Sequence, residues 1–213
     1  MMRLRSCKSL LLALLVALTV QACAWQETAV APDAQPVSGG LATAIFAGGC
    51  FWCMEQDFEQ LSGVVSVESG YTAGRTQNPD YRSVSAGVTG HTEAVKVTYD
   101  PARVSYGQLV EFFWRRIDPT VKDRQFCDVG SQYRSGLYWQ NENERQIAEA
   151  SRDALLISGR FKVIYTELAA ATRFWPAEAF HQDYYKKNPV RYGYYRAACG
   201  RDARVEKVWG SQR

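Results

Sequence analysis

The sequence predicts an α+β domain: a two-layer sandwich with a mixed or antiparallel sheet, helices on one side and a ferredoxin-like, split β-α-β core. Three observations carry this. Segments alternating with period two and segments with period 3.6 follow one another from about residue 42 in the order β-α-β-β-α-β-α-β-α. The first six elements spell the split arrangement. At 213 residues the chain accommodates one domain of ordinary size with an appendage.

The elements follow from the residues in order. "ATAIFAGG" is a short apolar strand ending in two glycines, and "FWCMEQDFEQL" places Phe51, Met54, Phe58 and Leu61 at helical spacing. "VVSVESGYT" and "TEAVKVTYD" alternate as strands, the second ending at Asp100-Pro101. "SYGQLVEFFWRRI" opens with Ser105 as a cap and carries Leu109, Phe112, Phe113 and Ile117 on one face. "QYRSGLYWQ" is a strand, "ENERQIAEASRDAL" a charged amphipathic helix and "KVIYTELA" a strand. "PAEAFHQDYYKKN" reads as a helix with Pro176 in its first turn, and the Tyr- and Gly-rich tail from Pro189 as irregular.

Ahead of this domain the chain reads as a targeting segment and a tether. Residues 1–23 have a basic start, an apolar run from Leu10 to Val20 and then small residues, which is a signal-peptide pattern. The run is shorter than the ~20 residues a membrane-spanning helix needs. "VQAC" resembles a lipoprotein box with Cys23 as the lipidated residue, while "Ala22-Cys23-Ala24" fits ordinary cleavage. Residues 24–42 hold two prolines and two glycines without a period, a flexible linker to a domain over 43–213. The expected location is outside the cytoplasm: periplasmic, as a membrane-anchored lipoprotein.

Charge excludes one partner class. Removing Arg3, Arg5 and Lys8 from the 25 basic residues leaves 22, equal to the 22 acidic ones. A neutral body gives no electrostatic footprint for nucleic acid. There is no G-x-G-x-x-G, Walker loop or G-x-S-x-G elbow.

The chemistry centres on "GGCFWCME", two cysteines three apart where a strand meets a helix. Such a pair is a redox couple, half a metal site or a structural bridge. Zinc lacks ligands, since there is no second C-x-x-C and the only histidines are His91 and His181. Cys50 at the first turn faces unpaired N–H groups and a positive macrodipole, so its thiol is expected to ionise below the usual ~8.5. Elsewhere Glu93 in "GHTEAV", Asp128 in "CDVGSQYRSG", and Tyr81 and Tyr133 are bland when taken singly. The default readings are a solvent-facing Glu, a turn Asp and two half-buried sheet tyrosines.

Taken together, "GGCFWCME", "NPDYRSV", "TGHTEAVKVTYDP", "CDVGSQYRSGLY" and "FHQDYYKKNP" resemble the A-type peptide methionine sulfoxide reductases, in the right order from about Ala44 to Pro189. The resemblance implies reduction of methionine-S-sulfoxide, free or in proteins. It implies Cys50 as nucleophile, Phe51 and Trp52 as walls of the S-methyl pocket and Glu93 as a protonated acid. Tyr81 and Tyr133 would bond the sulfoxide oxygen, and Asp128 would orient the site. No metal or organic cofactor is implied; a thioredoxin-like protein would supply electrons to a monomer. Many members have Gly in place of Cys53 and a recycling cysteine in the tail. This chain has both Cys53 and Cys199, so Cys53 is expected to close the first disulfide, with Cys199 as alternative or relay and Cys127 as a buried spectator. His181, Trp175 and Tyr184 are expected to pack near the site, His91 to belong to a loop, and "YYKKNPVRYGYYR" to dock a reductase or pack on the core. Two rivals remain open: a thioredoxin-like thiol-disulfide oxidoreductase using Cys50 and Cys53, and a binding lipoprotein with a structural Cys50–Cys53 bridge.

Overall fold

The structure, a computed structural model, describes residues 40–211. The expected signal segment and nearly all of the tether lie outside the described residues. β1 (Ala42–Gly48), α1 (Phe51–Glu59), β2 (Val64–Thr72), α2 (Tyr81–Ser85), β3 (Thr92–Tyr99) and α3 (Tyr106–Trp114) come first. A small hairpin of β4 (Arg124–Gln125) and β5 (Asp128–Val129) leads through a 3-10 turn at Ser131–Tyr133 into β6 (Ser135–Trp139). Then follow α4 (Glu142–Ile157), β7 (Glu167–Ala170), β8 (Trp175–Pro176), α5 (Tyr184–Lys187), α6 (Pro189–Cys199) and α7 (Arg201–Trp209).

The main sheet runs β7-β6-β1-β3-β2-β8. Its centre is antiparallel, with Phe46 opposite Val95 and Tyr71 opposite Glu93, and only β6–β7 is parallel. β3 lies between β1 and β2, so the connection through α1 skips a strand, as the split β-α-β reading requires. Alternation divides the sheet into two faces. Ala44, Phe46, Val95 and Val97 share a core with Met54, Phe58, Leu109 and Phe113 from α1 and α3, while Ile45, Ala47 and Ala94 form a thinner layer covered by Phe174 and the alanines near it. Phe46 stacks on Phe58 at 4.8 Å and Phe113 at 5.4 Å between ring centroids. Burying each such side chain contributes roughly 1.5–3 kcal/mol, and this anchors α1 over the sheet.

Caps fix the helix starts. Ser105 accepts from the Gln108 N–H in a reciprocal capping box, and Asn141 accepts from Glu144 at the head of α4.

Four expectations change. "NPDYRSV" supplies a short helix, with Asp80 capping Ser83, so Tyr81 sits on α2 and Tyr133 on the 3-10 turn rather than in the sheet. The strand expected over "KVIYTELA" begins only at Glu167 and runs to Ala170. The helix expected from Pro176 is mostly turn, because Asp183 takes a left-handed φ of 53° and delays helix formation to Tyr184. The tail is helical: Pro189 begins α6 at its first turn and Gly200, at φ 67°, separates it from α7. Those helices are held by packing, with Tyr192, Val205 and Trp209 buried.

Candidate active site

The strand-to-helix turn is fixed by two glycines. A Cβ at Gly48 would sit 2.4 Å from Met54 Sδ, and Gly49 has φ +80° with Gln125 Cβ 2.6 Å from where its own Cβ would be. Cys50 then caps α1, its carbonyl accepting from the N–H groups of Cys53 at 3.2 Å and Met54 at 3.3 Å. Cys50 and Cys53 are free thiols, 6 % and 2 % exposed, and their side chains share a hydrogen bond.

Glu93 faces Cys50 from β3. It is 2 % exposed, not solvent-facing, and its Oε2 accepts from the Phe51 N–H at 3.0 Å. Burial raises its pKa to about 8, with the charges of Asp128 and Cys53 adding to the rise and the Phe51 hydrogen bond opposing it. Glu93 is therefore mostly protonated at neutral pH.

The expected low pKa of Cys50 is not found. Burial raises it well above the ordinary thiol range, followed by the Cys53 and Glu93 contributions, and the helix terminus does not compensate. The reason is local: the first-turn N–H of Phe51 serves Glu93, and those of Cys53 and Met54 serve Cys50's own carbonyl. Cys53 is the more acidic partner, lowered to about 7 by the Cys50 hydrogen bond and then, against the burial penalty, by Arg201, Arg196 and Tyr192.

A cavity of about 60 Å³ is lined by Cys50, Phe51, Trp52, Tyr81, Glu93, Asp128, Tyr133 and Tyr195. It holds the end of one side chain and no more. All seven expected nucleophile, acid, tyrosine, orienting and pocket-wall positions are brought together there. Trp52 is clamped by stacking on Tyr184 at 3.8 Å and by donating from Nε1 to His181 Nδ1 at 3.1 Å. Phe51 packs against His181 and Tyr81. Burial lifts Tyr81 to about 12 and Tyr133 still further, so both phenols stay protonated. Trp175 pairs with Tyr71 at the sheet edge, and His91 bonds the Thr76 carbonyl within its loop.

Two site residues had no signal of their own in the sequence. Tyr195 on α6 donates to Asp128 Oδ2 at 2.8 Å and contacts the Cys50 thiol, while the Cys50 N–H also bonds Asp128. Glu178 accepts from Tyr71 Oη and from the Tyr81 N–H, both at 2.8 Å, and so fixes α2 beside Phe51. The signal that could have found Tyr195 is its place four residues before Cys199.

Cys199 is not on an irregular tail but ends α6, bonded to Cys127 across 72 residues. Cys127 is exposed and disulfide-bonded rather than a buried spectator. The aromatic tail stretch packs on α1 through Tyr192 Oη to Gln56 at 2.6 Å and Tyr185 Oη to Glu59. A larger hollow of about 620 Å³ around Gln56, Tyr185 and Arg196 contains no cysteine. Its charges are paired within the fold, Lys186 with Glu59 and Arg196 with Asp57 and Asp202, so chemistry belongs to the smaller cavity.

A buried dithiol facing a protonated carboxyl and two phenols across a small pocket walled by Phe51 and Trp52 is the site of a thiol-based reductase. The family described as peptide methionine sulfoxide reductase matches residues 42–213, and the chain belongs to that family. It is 51 % identical over 170 residues to peptide methionine sulfoxide reductase MsrA of Listeria innocua, covering 79 % of this chain and 96 % of that protein. Over 168 residues it is 48 % identical to peptide methionine sulfoxide reductase MsrA 2 of Caulobacter vibrioides, covering 79 % and 85 %. Among solved structures, methionine sulfoxide reductase A of Corynebacterium diphtheriae superposes with TM-score 0.64 at 37 % identity, covering 71 % of this chain and 76 % of that one. Reduced Mxr1 of Saccharomyces cerevisiae superposes with TM-score 0.67 at 28 % identity, covering 73 % and 90 %.

Proposed function

We propose that the chain reduces methionine-S-sulfoxide, free or in proteins, to methionine, and so repairs oxidised protein. The observation that carries this reading is Glu93: a buried carboxyl with pKa raised to about 8, held on the N–H next to Cys50 and facing the same cavity. Thiol-disulfide exchange transfers no oxygen and so requires no proton donor to one. The preference for the S epimer comes from the family.

The steps balance without a cofactor. The S-methyl group lies against Phe51 and Trp52, and the sulfoxide oxygen takes hydrogen bonds from the Glu93 carboxyl and the Tyr81 and Tyr133 phenols. Cys50 sulfur attacks the sulfoxide sulfur as Glu93 gives its proton to the oxygen. Methionine leaves, the oxygen ends on Cys50 as a sulfenic acid, and the thiol proton restores Glu93. Asp128, bonded to Tyr195 and the Cys50 N–H, orients the nucleophile. Cys53 then displaces water from the sulfenic acid to give a Cys50–Cys53 disulfide. Its hydrogen bond to Cys50 supports this order, and Cys199, bonded to Cys127, is not free to act. An external thioredoxin-like dithiol reopens the bridge.

The N-terminal pattern supports an exported chain with Cys23 as a lipid anchor, holding the catalytic domain, which we read as a monomer, at the membrane surface. Among the described residues no helix is long and apolar enough to cross a membrane.

The test is to incubate the purified chain with dithiothreitol and each epimer of a methionine sulfoxide peptide and to measure methionine. Consumption of the S epimer alone is expected; consumption of neither overturns the reading. Glu93→Ala separates the rival, since it spares disulfide exchange and abolishes sulfoxide reduction.

A further inference from the structure

We infer that Tyr192 and Arg196, on α6, are positioning residues for Cys53 in the step that turns an oxidised Cys50 into a disulfide. The inference rests on the reading of Cys50 as the oxidised nucleophile and adds what activates its partner. Cys53 and Tyr192 are buried in one small cluster with Cys50 and Tyr184, and the Tyr192 phenol bonds the Cys53 sulfur. The phenol oxygen is fixed from two sides, donating to Gln56 Oε1 at 2.6 Å and accepting from Arg196 Nη1 at 3.0 Å. Arg196 Nη1 also reaches Gln56 Oε1 at 3.3 Å. The Tyr192 O–H can therefore turn from Gln56 to the sulfur while Gln56 keeps a donor. With Cys53 as a thiol the phenol accepts, and with Cys53 as a thiolate it donates.

Arg196 is held in place by Asp57 at 2.9 Å and by Asp202 from α7. Its charge and that of Arg201 favour the Cys53 thiolate, whereas burial opposes it, and Cys50 and Glu93, the other titratable groups beside it, are held mostly protonated near neutrality by their own burial. Asp57 neutralises part of both guanidinium groups. The step itself needs no added oxidant. The Cys53 sulfur attacks Cys50 Sγ, the S–S bond forms as the S–O bond breaks, and the departing hydroxide takes the proton Cys53 gave up and leaves as water. Cys53 is oxidised and the Cys50 sulfenic sulfur reduced. Cys53 has to be a thiolate to attack, and Tyr192 with Arg196 keeps it one near neutrality.

The test uses the full chain with Tyr192→Phe, Arg196→Gln and Arg196→Lys. The lifetime of the Cys50 sulfenic acid is followed by dimedone trapping from pH 5 to 9. The sulfenic acid is generated with a methionine-S-sulfoxide peptide in one arm and with hydrogen peroxide in the other. In the wild type its collapse should accelerate through a midpoint near 7. In Tyr192→Phe and Arg196→Gln the midpoint should rise by about one unit, making collapse roughly fivefold slower at pH 7 and roughly tenfold slower at pH 5. Methionine release in the first turnover should be unchanged, and Arg196→Lys should restore most of the rate. An unmoved midpoint, or slowing by the same factor at every pH, overturns the inference. Failure of the peptide arm alone counts against the sulfoxide reading instead, because the peroxide arm still reports on Cys53.

Discussion

Two cysteine pairs lie among the described residues, in opposite surroundings. Cys50 and Cys53 are one helical turn apart, almost fully buried and reduced, and they face a carboxyl and two guanidinium groups. Cys127 and Cys199 are 72 residues apart, bonded to each other, and Cys127 lies open to solvent. The first pair is built for reaction: each sulfur has a neighbour that biases its proton, and the pocket admits only the end of a side chain. The second pair is built as a clasp. It ties the hairpin carrying Asp128 to the helix carrying Tyr192, Tyr195 and Arg196, the residues that hold the first pair in place. Nearness in sequence made the reactive pair visible, but company and burial decide which pair reacts.

The largest expected break comes at the reactive pair. Cys50→Ser should release no methionine above background in a single turnover, because a hydroxyl cannot take up the sulfoxide oxygen as a thiol does in becoming a sulfenic acid. Glu93→Gln should cut methionine formation by roughly 10²- to 10⁴-fold, the range of a lost general acid. The same change should stabilise the fold. The carboxyl binds its proton more tightly folded, near pH 8, than unfolded, near 4.5, so its contribution is lost as pH rises between those values. Each tenfold in proton affinity is about 1.4 kcal/mol. Glu93→Gln should thus gain on the order of 3 kcal/mol at pH 7 and nothing at pH 4, measured by urea unfolding at both values.

Smaller effects separate the clasp from the chemistry. Tyr195→Phe removes the donor to Asp128 Oδ2 at 2.8 Å. One lost hydrogen bond of about 1.5 kcal/mol should slow methionine formation about tenfold, read in the first turnover. Cys127→Ser should leave that turnover unchanged yet lower stability by roughly 2–5 kcal/mol under oxidising conditions, seen as a lower urea midpoint. If Cys127→Ser instead abolished methionine formation, the division between the two pairs would fail.

What the sequence made legible follows from what each region rests on. The central strands and α1, α3 and α4 are periodic, and α3 and α4 are capped, so their pattern is local and readable. The site could be read only through the family resemblance of five motifs in order, since Glu93, Asp128, Tyr81 and Tyr133 taken singly read as ordinary surface, turn and sheet residues. The tail could not be read, because its Tyr- and Gly-rich sequence has weak helical preference and becomes helical by packing on α1 and the core. Tyr192, Tyr195 and Glu178 act through partners 67 to 136 residues away, which no spacing discloses. The acidity of Cys50 departs from the helix-start expectation because the position of Cys50 is visible in the sequence, whereas the diversion of the Phe51 N–H to Glu93 is not.

The most direct test of the central claim uses Cys53→Ser. In this variant the Cys50 sulfenic acid has no neighbouring thiol to consume it. After one addition of methionine-S-sulfoxide and then dimedone, peptide mass mapping should find the label on Cys50, with one methionine released per label. Methionine released without a label on Cys50, or a label on another cysteine, would contradict the account.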